Sequence, residues 1–322
     1  MAYFDLSTAG QLRVTQGDAL PFMRAERIRP RLSELKRIEA APAPFPPQGL
    51  RELNIRFDAP AKAMWCAMRP SGPPSFTPSL LRELISLRRA IQTYTQAGTG
   101  ADKLHFFVGA SDLPGIYNLG GDLDHFVAMI RNSDREGLRA YAVDCCDVAY
   151  HMATGFDSSV LTIGLVQGDA LGGGFEGAMS FNILVAERKA RMGLPEVLFN
   201  LFPGMGAMSL LTRKIGMTAA QRMILSGKIY TAEELHEMGV VDILAEDGAG
   251  EEEVRKFIAG GTARYNLHLA LMQARQRVLP LSFEELHDIT DIWVGTAMQL
   301  GESDLRRMER LASAQRKRIA RA

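Results

Sequence analysis

Two glutamates and a run of glycines are the residues of this chain best suited to chemistry. Gly172, Gly173 and Gly174 stand in a row with Glu176 just beyond them. Glu196 comes twenty positions after Glu176, shortly before a second glycine turn, Pro203-Gly204-Met205-Gly206. Where a strand gives way to a helix, the first backbone N–H groups lack intrahelical acceptors and carry partial positive charge. With no side chain at Gly173, an acyl oxygen can approach its N–H closely, and a second N–H from the loop around Gly121 would complete a two-donor oxyanion hole. Such a hole stabilises the enolate that forms when a thioester loses its C2 proton. Two carboxylates beside such a hole can move protons, and one raised in pKa by burial can serve as an acid. The residue types leave open which glutamate plays which part.

Two other readings of the glycines compete. Gly172, Gly174 and Gly177 fit the spacing G-x-G-x-x-G of a dinucleotide loop. That motif needs a crossover helix of roughly ten or more residues before the next strand, whereas the next strand-like run already starts at Asn182 or Ile183. Glu187 also comes far too soon for the acidic residue the motif expects. Alternatively, glycines after a strand can serve tight packing alone. That reading leaves unexplained a glutamate just inside the helix and a second one in a parallel loop setting.

The elements that position these residues alternate between short strands and helices, which gives an α/β class. Strands are expected within Leu53–Met68 around a turn at Asp58-Ala59-Pro60, then at Leu104–Gly109, Ser159–Val166, Asn182–Ala186, Arg191–Gly193 and Val240–Leu244. Thr77 and Pro78 open a helix whose Leu80, Leu84, Leu87, Ile91 and Tyr94 recur at helical spacing, with Gly98 as its stop. Further helices are expected at about 123–132, 134–155 (capped by Asp134), 206–216, 218–226 and 231–238, the last opened by a Thr231/Glu234 capping box. Residues 251–322 read as helical throughout. The organisation is therefore an extension and proline-rich linker over 1–49, a core over 50–250, and a helical region over 251–322. Within the extension, Pro30 can open a short helix carrying Leu32, Leu35 and Ile38.

Composition bounds the function. Among 322 residues, Lys+Arg and Asp+Glu both number 37, which argues against a nucleic-acid binder. Cys66, Cys145 and Cys146 form no CxxC pair, and no HxxxH or HExxH pair exists, so no metal site is expected. There is no signal-peptide pattern and no apolar run long enough to span a bilayer, so a cytoplasmic location is expected. Without a G-x-S-x-G elbow, any hydrolysis must use activated water.

The stretch LGGGFEGAMSFNILVAERKARMGLPEVLFNLFPGMGAMSLLTRKIG, followed by AAQRMILSGKIYTAEELHEMGVVDIL, resembles the crotonase (enoyl-CoA hydratase/isomerase) superfamily over roughly residues 50–250. The strings MGLPEVLF and LFPGMGA, with the helical C-terminus around IWVGTAMQL, are similar to the RpfF-type diffusible signal factor synthases, which make cis-2-unsaturated fatty acids for cell–cell signalling. The resemblance implies a crotonase-like spiral of ββα units and an oxyanion hole made by the N–H groups of Gly173 and Gly121. Most hydratases have Ala where Gly121 stands. It also implies Glu176 and Glu196 as the proton-moving pair, and an acyl pocket lined by Leu171, Gly172, Met205, Trp293 and Leu311. Retention of both glutamates points to adding or removing water. The activity implied is dehydration of a 3-hydroxyacyl chain on acyl carrier protein to the cis-2-enoyl thioester, followed by hydrolysis to the free acid. The alternatives are an enoyl-CoA hydratase of β-oxidation and a regulatory binding partner of a sensor histidine kinase. No cofactor is implied beyond the acyl-ACP or acyl-CoA thioester, and a trimer or a dimer of trimers is the implied assembly. The basic stretch Leu305–Arg321 suits either contact with an acidic carrier or a solvated helix face.

Overall fold

Six strands form the main sheet in the order β1-β2-β3-β5-β7-β10. The computed structural model describes residues 45, 47–97 and 104–319. The expected helix after Pro30, most of the proline linker and the stop at Gly98 lie outside the described residues. β1 (Leu53–Asp58) and β2 (Ala63–Met68) are an antiparallel hairpin across the expected turn. Every later ladder in this sheet is parallel: β3 (Phe106–Ser111) on β2, β5 (Leu161–Val166) on β3, β7 (Ile183–Glu187) on β5, and β10 (Ile243–Ala245) on β7. β5, LTIGLV, is buried at every position, the pattern of a parallel strand covered on both faces.

A second sheet of four short strands lies in the order β4-β6-β8-β9: β4 (Ile116–Asn118), β6 (Asp169–Leu171), β8 (Arg191–Gly193) and β9 (Ile229–Thr231). Three times the chain places one strand in each sheet and then turns into helix. β3 and β4 lead to α2 (Leu123–Arg131) and α3 (Arg135–Ala153). β5 and β6 lead to α4 (Gly173–Met179). β7 and β8 lead to a 3-10 helix (Pro195–Phe199) and α5 (Ala207–Ile215). This is the spiral of ββα units that the sequence predicts, and each pass delivers its small-sheet strand end to the same place.

The caps explain where the helices begin. The Thr77 hydroxyl accepts from Leu80 N–H at 3.2 Å and opens α1 (Pro78–Ala97); Asp134 Oδ1 accepts from Gly137 N–H at 2.9 Å and opens α3. The Thr231/Glu234 capping box opens α7 (Ala232–Glu237), which follows α6 (Met217–Ser226). One expected strand is displaced. Val240 and Val241 are buried, but both N–H groups donate to Leu235 O in the turn closing α7, so β10 starts only at Ile243. Four helices complete the described chain: α8 (Gly250–Thr262), α9 (Tyr265–Val278), α10 (Phe283–Ala297) and α11 (Glu302–Ile319). Trp293 and Val294 of α10, and Leu305 and Met308 of α11, share one apolar cluster with Leu53, Phe107 and Phe175. Among the described residues no helix is long and apolar enough to cross a membrane.

Candidate active site

The three glycines meet three different neighbours. Gly172 has φ +54°, a conformation that favours glycine, and a Cβ there would lie 2.6 Å from Glu196 Oε1. At Gly174 a Cβ would lie 2.0 Å from the carbonyl oxygen of Asn118, so the end of β4 packs directly on the first turn of α4. The same construction at Gly173 falls 3.4 Å from the backbone nitrogen of Gly121. The two proposed donors therefore stand side by side.

Counting backbone hydrogen bonds sharpens this. Leu119 N–H donates to Pro74 O at 2.7 Å, Gly120 N–H to Asn118 Oδ1 at 2.8 Å, and Asp122 N–H to the Tyr141 hydroxyl at 3.1 Å. From Leu119 to Asp122, only the Gly121 N–H has no acceptor among the described residues. Gly173, the first residue of α4, likewise has no acceptor there. Both residues are partly exposed to the cavity, so these two adjacent unpaired donors are available to an oxygen placed there.

Glu176 lies one turn into α4 and is 1% exposed. Its Oε1 accepts from Met205 N–H and from Ala207 N–H, both at 2.8 Å. The Pro-Gly-Met-Gly turn and the start of α5 thus form its seat. Burial pushes its carboxyl up to about 7, against the opposing pull of those two donors. Glu196 follows Pro195 in the 3-10 helix. The residue is half-buried overall, yet its Oε2 is sealed from solvent and has no hydrogen-bond partner. Burial, and then the negative charge of Glu176, hold its carboxyl well above the usual carboxylate range. The two seats differ: Glu176 receives two N–H groups from a distant turn, whereas Glu196 has only its own backbone N–H and an unpartnered Oε2.

A cavity of about 300 Å³ connects these groups. All nine residues singled out in the sequence line it: Gly121, Leu171, Gly172, Gly173, Glu176, Glu196, Met205, Trp293 and Leu311. Met205 and Trp293 also belong to the apolar core, so packing and lining are not exclusive. The Trp293 indole lies where a Cβ on Gly204 would be, 2.6 Å away, which explains the first glycine of that turn. At Gly121 a Cβ would meet the Phe126 ring at 2.5 Å, so this aromatic takes the space that an alanine methyl would fill.

Several lining residues carry no signal in the linear sequence. Tyr141 and Cys145 of α3 and Gln315 of α11 line the cavity, and Asn118 at the end of β4 packs just behind it. Gln315 of α11 donates to Leu119 O at 3.2 Å. Cys145 lines the cavity, but burial raises its thiol well above the usual value, so it is not a ready nucleophile. Among the described residues no cluster of His, Cys, Asp and Glu is disposed to hold a metal. A wider groove of about 450 Å³ runs between α9 and the ends of α3 and α4, but Asp157 is the single carboxylate on its wall. Of these two cavities, only the first therefore offers a pair of carboxylates. Part of the basic charge of α11 is used internally, by Arg307 on Asp304 and Arg316 on Asp124. The side chains of Lys317, Arg318 and Arg321 lie outside the described residues.

Residues 109–275 match the family model described as enoyl-CoA hydratase/isomerase. A short-chain-enoyl-CoA hydratase of Clostridioides difficile is 39% identical over 100 residues, covering 31% of this chain and 64% of that protein. The 2,3-dehydroadipyl-CoA hydratase of Escherichia coli is 37% identical over 115 residues, covering 35% of this chain and 44% of that protein. The aligned stretch thus spans less than two thirds of either relative. An enoyl-CoA hydratase/isomerase from Xanthobacter autotrophicus Py2 shares the fold, with a TM-score of 0.68 over 83% of this chain and 98% of that one, at 17% identity. The motifs, the ββα spiral and the matched model agree: the chain belongs to the enoyl-CoA hydratase/isomerase (crotonase) family.

Proposed function

We propose that this chain removes water from a 3-hydroxyacyl chain carried as a thioester on acyl carrier protein, and then hydrolyses the enoyl thioester to a free cis-2-unsaturated fatty acid. One observation carries the reading: two carboxylates, one buried and one half-buried with a sealed oxygen, line the same, mostly apolar cavity as two N–H groups without acceptors among the described residues. The N–H groups of Gly121 and Gly173 hold the thioester oxygen and stabilise the enolate. Glu196, protonated at rest, and Glu176, the better anion, share one proton. In the hydrating direction Glu176 takes a proton from water as its oxygen bonds to C3, and Glu196 delivers its proton to C2. Dehydration is the reverse and starts once the shared proton has passed to Glu176: Glu196 takes the C2 proton, Glu176 protonates the departing 3-hydroxyl as C3–O breaks, and water leaves, with the proton back on Glu196. In the hydrolytic step the same pair activates water against the carbonyl carbon; the C–O bond forms, the C–S bond breaks, and the carrier leaves as a thiol. Leu171, Met205, Trp293 and Leu311 contact the acyl chain. The cis geometry and the free-acid product rest on the strings around Gly193–Phe199 and Leu201–Ala207.

Reversible hydration of a CoA thioester is the second reading, favoured by the printed names of the relatives. The product separates the two. Incubated with 3-hydroxyacyl-carrier substrates of several lengths, the protein is expected to release a free cis-2 acid, identified by mass spectrometry and NMR. Exclusive formation of a hydrated or trans-enoyl CoA thioester overturns the first reading in favour of the second. A trimeric assembly and a sensor-kinase partner belong to the same proposal; a pull-down that depends on surface residues but not on Glu176 or Glu196 tests the latter.

A further inference from the structure

The donor at Gly121 sits in a pair of consecutive glycines. Gly120 precedes it with φ +96°, and neither residue has a side chain to restrict rotation. An oxyanion donor works only if held in place before the oxygen arrives, since its contribution depends on preorganisation. Two side chains supply that hold. Phe76 N–H donates to Gly120 O at 2.8 Å. In a trans peptide the N–H points opposite to the C=O, so this bond aims the Gly121 N–H away from Phe76. Phe76 is itself gripped: the Tyr141 hydroxyl donates to Phe76 O and accepts from Asp122 N–H. On the other side, buried Asn118 accepts from Gly120 N–H through Oδ1, and its Nδ2 donates to Met68 Sδ at 3.6 Å.

We infer that Tyr141 and Asn118 are positioning residues that clamp the Gly120–Gly121 peptide from both sides and so fix one donor of the oxyanion hole; this rests on the thioester reading above. Tyr141 does the larger share, because one hydroxyl ties down both the residue after the donor and the strand segment that orients its peptide plane. The ring has a separate job, packing edge-on against Phe126 at 5.2 Å and against His125 at 5.4 Å. Tyr141→Phe keeps that packing and removes only the clamp.

The test uses the full chain and a medium-chain 2-enoyl-CoA with an isotope-labelled thioester carbonyl, read by difference infrared spectroscopy and by steady-state kinetics. In the wild type the bound carbonyl stretch is expected to move to lower frequency, the mark of polarisation. Tyr141→Phe is expected to lose most of that displacement, with kcat down about tenfold and KM within about twofold. Asn118→Ala should show a smaller loss of the same kind, and Asn118→Asp, which keeps an acceptor for Gly120 N–H, should restore the carbonyl displacement. A polarised carbonyl in the wild type that stays fully polarised in both Tyr141→Phe and Asn118→Ala overturns the clamp and leaves the thioester reading standing. A carbonyl that is not polarised even in the wild type overturns both.

Discussion

Glu176 and Glu196 face one cavity, yet their surroundings are opposites. Around Glu176, a glycine turn and the start of α5 present two N–H groups to a single carboxylate oxygen, as an anion requires. Around Glu196, a 3-10 helix delivers a carboxyl against the bare Cα of Gly172 and leaves Oε2 with nothing to bond. Burial raises both carboxyls; two N–H groups from a distant turn oppose it at Glu176, whereas at Glu196 the charge of Glu176 adds to it and only its own backbone N–H opposes it. The difference teaches that backbone hydrogen bonding favours the anion at Glu176, and on the proposed function the shared proton rests on Glu196. On the proposed function the chain thus keeps an acid and a base side by side in one apolar cavity.

Removing either member should have the largest effect. Glu176→Gln and Glu196→Gln are each expected to lower turnover of 3-hydroxyacyl or 2-enoyl thioesters by roughly a hundredfold to ten-thousandfold, measured at saturating substrate. Wild-type rates in both variants would sink the assignment. A subtler perturbation separates the two seats. Gly172→Ala places a methyl against Glu196 Oε1 without touching Glu176. It should cost about a hundredfold in kcat, and in the pH–rate profile it should move the alkaline limb, set by Glu196, while the acidic limb near 7, set by Glu176, stays put.

Stability should report the same asymmetry. A carboxyl whose folded-state pKa lies above its unfolded value of about 4.3 binds its proton more tightly when folded. Stability therefore falls as pH rises from the unfolded value through the folded one, by up to about 1.4 kcal/mol per unit of separation. For Glu176 that window closes near 7; for Glu196 it extends further into alkali. Thermal unfolding across pH should find Glu196→Gln more stable than wild type at neutral pH, with the advantage vanishing below the unfolded carboxylate range. An advantage that does not depend on pH would contradict the direction of these shifts. The smallest effect belongs to the far wall. Leu311→Ala should raise KM for long acyl thioesters by about tenfold and leave short ones nearly unchanged, since a few lost methylene contacts contribute roughly 1–3 kcal/mol.

The two glutamates and the glycines beside them are legible in the sequence because each sits in a contiguous string whose spacing fixes its place. Glu176 follows the glycine triplet within one turn, and Glu196 follows the proline that starts its helix. Helices α1 to α3 are legible for a similar reason, since Thr77, Asp122 and Asp134 cap them locally. The strands β4, β6 and β9 are too short to show a period, so the second sheet is hidden although it carries the ends of the site. Tyr141 is equally hidden: its hydroxyl meets a carbonyl 65 positions away, and no local pattern announces that meeting. Gly204 and Gly121 look like turn residues, whereas their vacant Cβ positions are filled by Trp293 and Phe126 from other elements. What escapes the sequence is contact between distant segments, and here that contact brings together the two N–H groups proposed as the oxyanion hole.

The central claim is that the resting proton belongs to Glu196. Infrared spectroscopy of the carboxyl stretch at mildly alkaline pH reads this directly. A protonated-carboxyl band should be present in the wild type, persist in Glu176→Gln and be absent from Glu196→Gln. A wild-type spectrum without that band, or a band that disappears in Glu176→Gln and survives in Glu196→Gln, would contradict it.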